Sequence, residues 1–360
     1  MIGSKLDNRG KPFLMILTTP YEIKKQIPIE SQQLDQIKLQ RREIKKILTK
    51  NDRRIALVIG PCSIHDPAAT LEYAQRLHTL AQEVSTTCYI VMRAYVEKPR
   101  TITGWKGFLY DPYLDGSHNM NQGILLSRKL LLDLSKIGIP LATEFLDPMT
   151  YHYLEDLISW GFIGARTCTS SIHRQLASSL NMPVGFKNST SGNVDDAING
   201  VVAARASHCF IDLNDNCRLQ AKQSKGNFFS HIVLRGSNSG PNFDKDSVRS
   251  AINKLMQAAI PPRVLIDCAH GNSNKDHKKQ IEVWNNVSKQ IIEGNDHIMG
   301  MMIESFLEEG NQPLSNNKES IQPSISITDP CLSWACTKEL VLSLHQRLSK
   351  EESCCSSIRL

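Results

Sequence analysis

The sequence predicts an α/β fold, a parallel (β/α)8 barrel, on three observations. Short β-rich apolar runs alternate with segments of helical period, and there are eight of each. No Gly-rich phosphate turn follows the first run, which argues against an open doubly wound sheet. Each run ends in or just before a polar, chemically capable residue, and the strand C-termini of such a barrel form one rim.

The expected strands are Ala56–Pro61, Tyr89–Ala94, Pro140–Phe145, Phe162–Thr167, Pro183–Asn188, His231–Gly236, Arg263–Cys268 and Ile298–Ser305. The expected helices are Ala68–Val84, Asn121–Gly138, Thr150–Trp160, Ser171–Leu180, Val194–Arg205, Asp244–Ala259, His277–Ile292 and Pro330–Leu348. We read residues 1–360 as a single domain, with the TIM barrel over 55–348. Residues 1–50 form an N-terminal extension, with a short strand at Phe13–Thr18 and an amphipathic helix near Ile29–Leu48. Two stretches break the repeat. Lys98–His118 is a long loop after the second strand, and 208–229 reads as an inserted β-strand pair; long inserts on a compact domain are usually functional or regulatory.

Composition narrows the function. The chain has 42 Lys+Arg against 36 Asp+Glu, a net charge of +6. The basic residues are spread out rather than run together with aromatics, so nucleic acid is not the expected partner. No stretch approaches the roughly 18 apolar residues of a membrane helix. Phe13–Leu17, the one early apolar run, is too short for a signal peptide core. The ten cysteines lack zinc-ribbon spacing and read as reduced thiols of a cytoplasmic protein. The pair Cys354 and Cys355 falls in a Ser/Glu-rich tail expected to be disordered.

The residues at the strand ends sort into two sets. Cys62, His270, Glu304 and Asp329 offer sulfur, nitrogen and oxygen ligands together. That mixture suits a divalent transition metal, manganese, iron, cobalt or zinc. Taken singly, each has a plainer reading: a buried thiol, a hydrogen-bonded loop histidine, two salt-bridge acids. Arg93, Lys98, Arg166, Lys187 and Arg235 form the second set. Five cations at one mouth call for a multiply anionic ligand, and a compound carrying both phosphate and carboxylate satisfies them. Arg100 and Thr101 are placed to hold a second phosphate.

These residues sit in blocks that resemble a known family. Gly60-Pro61-Cys62-Ser63, Lys98-Pro99-Arg100-Thr101, Gly104-Trp105-Lys106-Gly107, Gly164-Ala165-Arg166-Thr167, Gly185-Phe186-Lys187-Asn188, Leu234-Arg235-Gly236 and Ile327-Thr328-Asp329 are similar to blocks of the class I, feedback-regulated 3-deoxy-D-arabino-heptulosonate 7-phosphate (DAHP) synthases. Asp267 through Ser273 and Glu304 through Gln312 match two more, and the resemblance covers about residues 50 to 345. It implies a condensation of phosphoenolpyruvate with D-erythrose 4-phosphate, the first step towards the aromatic amino acids. It implies a metal on Cys62, His270, Glu304 and Asp329, and phosphoenolpyruvate on Arg93, Lys98, Arg166, Lys187 and Arg235. Lys98, Pro99, Arg100 and Thr101 then line the erythrose 4-phosphate site, and Asp329 counts with the substrate as well as with the metal. Lys98, His270 and Glu144 are the expected catalytic residues, with Lys98 as proton donor and Glu144 orienting a water. A homodimer or homotetramer is expected.

The chain departs from the family away from these blocks. Leu213-Asn214-Asp215-Asn216 replaces a Thr-Lys-x-Gly run in the insert. Tyr151 follows Thr150 where relatives usually have Pro, and Asn181 stands where they often have Ser. In the regulated family these regions and the extension form an aromatic amino-acid site, so the expectation is altered or lost feedback inhibition. The rival readings are 3-deoxy-D-manno-octulosonate 8-phosphate synthase, against which the Lys98–Thr101 loop argues, and a non-catalytic sensor, against which the intact ligand set argues.

Overall fold

The computed structural model describes residues 14–315 and 318–357. Two helices lead in, α1 (Pro20–Gln26) and α2 (Ser31–Leu48). There follow β1 (Ile55–Gly60), α3 (Pro67–Glu83), β2 (Cys88–Arg93), α4 (Met120–Ile137), β3 (Leu141–Glu144), α5 (Tyr151–Leu154), β4 (Trp160–Ile163), α6 (Ser171–Ser179), β5 (Val184–Lys187) and α7 (Val194–Arg205). A hairpin, β6 (Cys209–Leu213) and β7 (Leu219–Gln223), interrupts the repeat. It resumes with β8 (Ser230–Leu234), α8 (Lys245–Gln257), β9 (Val264–Asp267), α9 (Lys279–Ile292), β10 (Ile298–Glu304) and α10 (Trp334–Ser357).

The parallel strands close in the order β1-β10-β9-β8-β5-β4-β3-β2. This is the (β/α)8 barrel with an N-terminal extension and an inserted strand pair. The local chemistry is legible. Asp66 caps α3 by accepting from Ala69 N at 2.8 Å, and Pro67 occupies the first turn, where its missing N–H costs nothing. Thr19 and Glu22 close a capping box at α1. Gly138 ends α4 with φ 97°, a conformation that favours glycine.

Strand residues alternate between two cores. Leu57 and Ile59 face the surrounding helices, whereas Ala56 and Val58 join Val91, Ala142, Phe162, Val233 and Leu265 inside the barrel. The extension belongs to this interior. α2 buries Ile37, Gln40, Ile44, Ile47 and Leu48, one helical stripe, and Ile44, Ile47 and Leu48 pack onto the inner cluster at the strand N-termini. Arg263 donates to the Ile47 carbonyl at 2.8 Å, and Arg41 to the Ile158 carbonyl at 2.9 Å. The extension thus stops the lower mouth of the barrel.

Four expectations need correction. The helix expected over 150–160 is one turn, Tyr151–Leu154, followed by a 3-10 turn at Glu155–Leu157. Trp160 is drawn fully inside the barrel and stacks on Phe162 at 5.4 Å, so β4 begins two residues early. Arg166 therefore lies past the strand, in a turn where Thr167 N and Cys168 N donate to the Gly164 carbonyl at 3.1 and 3.0 Å. No strand forms over residues 14–18: Asn121 takes the place of a neighbouring strand by accepting from Thr18 N and donating to the Ile16 carbonyl. Phe13 lies outside the described residues. Finally, α10 continues as helix through Ser357, beyond the expected end at Leu348 and into the tail expected to be disordered.

Replacing Ile44, which is 0% exposed, tests the plug. Ile44→Ala is expected to lower unfolding stability by roughly 2 to 5 kcal/mol, the usual cost of a large-to-small change in a packed core, read from urea titration.

Candidate active site

The upper mouth holds a cleft of about 260 Å³ lined by Cys62, Arg93, Lys98, Pro99, Arg100, Thr101, Glu144, Arg166, Lys187, Arg235, His270, Glu304 and Asp329. The fold brings together every site residue named from the sequence. Arg93, Glu144, Lys187 and Glu304 are the last residues of β2, β3, β5 and β10. Arg235 follows β8 by one residue, and Cys62 follows β1 by two. Arg93, Lys98, Lys187 and Arg235 are buried, whereas Arg100, Thr101 and Arg166 stand exposed at the lip. There Arg166 Nε donates to Thr101 Oγ1 at 2.8 Å and joins two rim loops. Gly164 is required for space: a Cβ there would stand 2.0 Å from Glu144 Oε1.

The cations divide by partner. Arg93 Nη2 donates to Glu304 Oε1 at 3.0 Å, and the Arg93 guanidinium lies over the Tyr95 ring at 4.1 Å. Lys98 Nζ reaches Cys62 Sγ at 2.8 Å and Asp329 Oδ2 at 2.9 Å. Lys187 Nζ donates to Asp267 Oδ2 at 2.8 Å. Arg166 and Arg235 meet no carboxylate at ion-pair distance among the described residues, and Arg235 Nε is buried without a hydrogen-bond partner. These two guanidiniums are open to an incoming anion.

Burial and charge oppose each other here. Burial disfavours the Lys98 ammonium, but Cys62, Asp329 and Glu304 outweigh it and hold its pKa above the ordinary lysine value. Burial likewise works against the Asp329 carboxylate, yet Lys98 holds its pKa well below the usual range. Burial, then the charge of Glu304, push the Cys62 thiol up to about 11.

The donor set suits a metal. Cys62, Glu304 and Asp329 offer ligand atoms that all lie within 4.8 Å of one another. His270 falls outside that tight group, with Nε2 3.6 Å from Glu304 Oε1 and Nδ1 2.9 Å from Asp267 Oδ2. Its backbone has φ 56°, strained for a residue with a side chain, and such outliers gather at working sites. One cysteine sulfur, two carboxylates and a nearby imidazole match the ligand preferences of divalent transition metals.

Three contributors escaped the sequence reading. Tyr95 carries the Arg93 guanidinium, two residues on and so on the same side of an extended segment. Lys275 Nζ stands 3.6 Å from Asp329 Oδ1 from the loop after β9, with no local pattern to mark it. Asp267, named only as the start of a matched block, is 0% exposed and serves as counter-charge to Lys187.

A parallel barrel with a thiol–carboxylate cluster that could hold a metal beside a cationic cleft fits a class of enzyme that acts on small anionic substrates. A profile of the DAHP synthetase I family matches residues 26–342. The Tyr-sensitive phospho-2-dehydro-3-deoxyheptonate aldolase of Escherichia coli (strain K12) is 46% identical over 334 residues, 93% of this chain and 94% of that protein. The Trp-sensitive enzyme of the same strain is 45% identical over 328 residues, 91% of this chain and 94% of its own. The solved phospho-2-dehydro-3-deoxyheptonate aldolase of Francisella tularensis SCHU S4 superposes with a TM-score of 0.91 at 43% identity, covering 94% of this chain and 98% of that one. The chain belongs to the DAHP synthetase I family, whose enzymes are generally metal-dependent. No helix among the described residues is long and apolar enough to cross a membrane.

Asp267 tests the charge balance. Asp267→Ala leaves the Lys187 ammonium buried without its acid and is expected to cost roughly 3 to 5 kcal/mol of stability, read from urea titration.

Proposed function

We propose a division of labour in the cleft for the DAHP synthase reaction, the condensation of phosphoenolpyruvate with D-erythrose 4-phosphate that yields DAHP and phosphate and opens the shikimate pathway. The observation that carries it is the pair of guanidiniums without acid partners, Arg166 and Arg235, beside the Cys62–Glu304–Asp329 cluster. Arg93, Lys98, Arg166, Lys187 and Arg235 hold phosphoenolpyruvate, Arg for bidentate contact and Lys as a point charge. Arg100 and Thr101, with Pro99 setting the loop, take the phosphate of erythrose 4-phosphate. Cys62, His270, Glu304 and Asp329 hold one divalent ion, manganese, iron, cobalt or zinc. When bound, the ion supplies Lewis-acid polarisation of the aldehyde oxygen.

The residues then act in sequence. The cationic rim offsets the repulsion between two phosphorylated substrates and holds them in attack geometry. C3 of the enol attacks the aldehyde carbon, forming the new C–C bond. Lys98 protonates the developing alkoxide. Glu144 orients a water onto C2, where positive charge develops, and the adduct expels phosphate with cleavage of its C–O bond.

The Tyr- and Trp-sensitive names of the relatives make an aromatic amino acid the candidate effector. In this chain Tyr151, Asp212 and Lys222 join one another in the region implied for that effector, which supports altered or lost inhibition. Eight free cysteines among the described residues fit a cytoplasmic enzyme. We read the chain as a single domain that assembles as a homodimer or homotetramer.

The test follows loss of the enol absorbance of phosphoenolpyruvate. Consumption is expected to require erythrose 4-phosphate, to stop with EDTA, and to return with added divalent metal. Lys98→Met is expected to lower kcat by about 10² to 10⁴ while the fold, read by circular dichroism, is kept. Consumption driven only by arabinose 5-phosphate would overturn the aldehyde assignment, and near-normal turnover by Lys98→Met the proton donor. Phe, Tyr or Trp at sub-millimolar concentration is expected to leave the rate largely unchanged, and strong inhibition would count against altered control.

A further inference from the structure

Two buried polar contacts, Asp212 with Tyr151 and Thr150 with Glu97, link the hairpin to the cleft through the chain neighbours Tyr151–Thr150 and Glu97–Lys98. Asp212 on β6 is 6% exposed. Its Oδ2 accepts from Tyr151 Oη at 2.7 Å and from Lys222 Nζ at 2.9 Å, and its Oδ1 lies 3.0 Å from His152 Nε2. Lys222 Nζ also donates to Tyr151 Oη at 2.9 Å, so the hairpin grips the start of α5 from both strands. Burial opposes the Asp212 charge, but hydrogen bonds from His152, Tyr151 and Lys222 hold its carboxyl well below the usual carboxylate range. Lys24 of α1 adds a grip from the extension, donating to Asp215 at 3.1 Å.

The residue before Tyr151 continues the line. Thr150 Oγ1 lies 3.0 Å from Glu97 Oε2 and 3.0 Å from the Asp147 carbonyl. One hydroxyl proton cannot serve both acceptors. A protonated Glu97 resolves this: its carboxyl donates to Thr150 Oγ1, and Thr150 donates to the Asp147 carbonyl. Glu97 is 4% exposed and precedes Lys98, the group placed against Cys62 and Asp329.

We propose that Glu97 and Asp212 are positioning residues for the reaction: Asp212 fixes Tyr151 and with it Thr150, and Thr150 holds Glu97 so that Lys98 is presented to the cleft. The inference rests on the reading of Lys98 as the proton donor. It assigns the inserted hairpin a direct bearing on turnover, through contacts that include Tyr151, one of the residues where this chain departs from its relatives.

The ionisable groups around Glu97 favour its neutral form. Burial pushes its carboxyl up to about 8; Asp147 and Glu144 act in the same direction, while the hydrogen bonds that Thr150 and Tyr110 can donate to the ionised carboxylate oppose them. Tyr110 Oη itself reaches Asp147 Oδ2 at 3.2 Å. Glu97 is therefore neutral below about pH 8 and loses the linking proton as pH rises through that value.

Steady-state kinetics on the full-length, metal-loaded chain provide the test. Thr150→Val and Glu97→Ala are each expected to lower kcat/KM for phosphoenolpyruvate roughly tenfold, the scale of one lost hydrogen bond, because Lys98 both holds that substrate and donates the proton. Glu97→Gln donates at every pH, so it should keep most of the activity and lack the alkaline fall near pH 8 expected of the parent chain. Asp212→Asn should lower kcat/KM less, and Asp212→Asn with Thr150→Val should be no slower than Thr150→Val alone, because both act along one line. Thermal melts of Thr150→Val and Glu97→Gln close to the parent's establish that the fold is retained. Parent-like kinetics in both Thr150→Val and Glu97→Ala, or an alkaline fall unchanged in Glu97→Gln, would overturn the relay and leave the reading of the cleft standing. A parent chain that consumes no phosphoenolpyruvate with erythrose 4-phosphate would overturn that reading and the relay with it.

Discussion

A charge removed from water must be met by another charge, and the upper rim of this barrel is organised by that constraint. Arg93 is met by Glu304, Lys98 by Asp329 and Lys187 by Asp267. Each pair joins groups far apart in the chain, and Arg93–Glu304 spans the barrel's first strands and its last. Removing one partner from such a pair is far more costly than never having built it. The rim is therefore cooperative: its geometry holds only when all the strands are in register, and a fixed register leaves Arg166 and Arg235 facing the cleft without an acid.

The same balance explains how cations and candidate metal ligands can share one small space. Cys62, Glu304 and Asp329 supply donors for a cation, and Arg93 and Lys98 are hydrogen-bonded to those very atoms. Donor and ammonium stabilise each other, which keeps the site compact and its side chains fixed. A preorganised site spends little on ordering itself when substrates arrive.

Much of this was legible in the sequence. Eight alternations and capable strand ends pointed to the barrel, and the residues named from the strand ends and from the family resemblance line one cleft, because strand polarity places every C-terminus on one rim. Boundaries were harder. The helix expected over 150–160 yields to Trp160, whose ring is worth more inside the barrel than on a helix face. Arg166 reads as strand by its apolar neighbours, yet the turn at Gly164 that seats Glu144 carries it to the lip. Long-range polar partners were the least legible. Nothing near Asp212 signals Tyr151, 61 residues away, and nothing near Arg263 signals Ile47, 216 residues away.

That last contact has a consequence for how the molecule is made. α2 is finished early in synthesis, but the carbonyl of Ile47 waits for Arg263, and Ile44 and Ile47 wait for an inner cluster that includes Met299 and Met302 of β10. Until the final strand arrives, the plug has no socket to enter, and its apolar stripe stays uncovered. A segment made before every strand of the barrel thus finds its socket complete only when β10 is in place, and the seal on the barrel's lower mouth is expected late in folding rather than at its beginning.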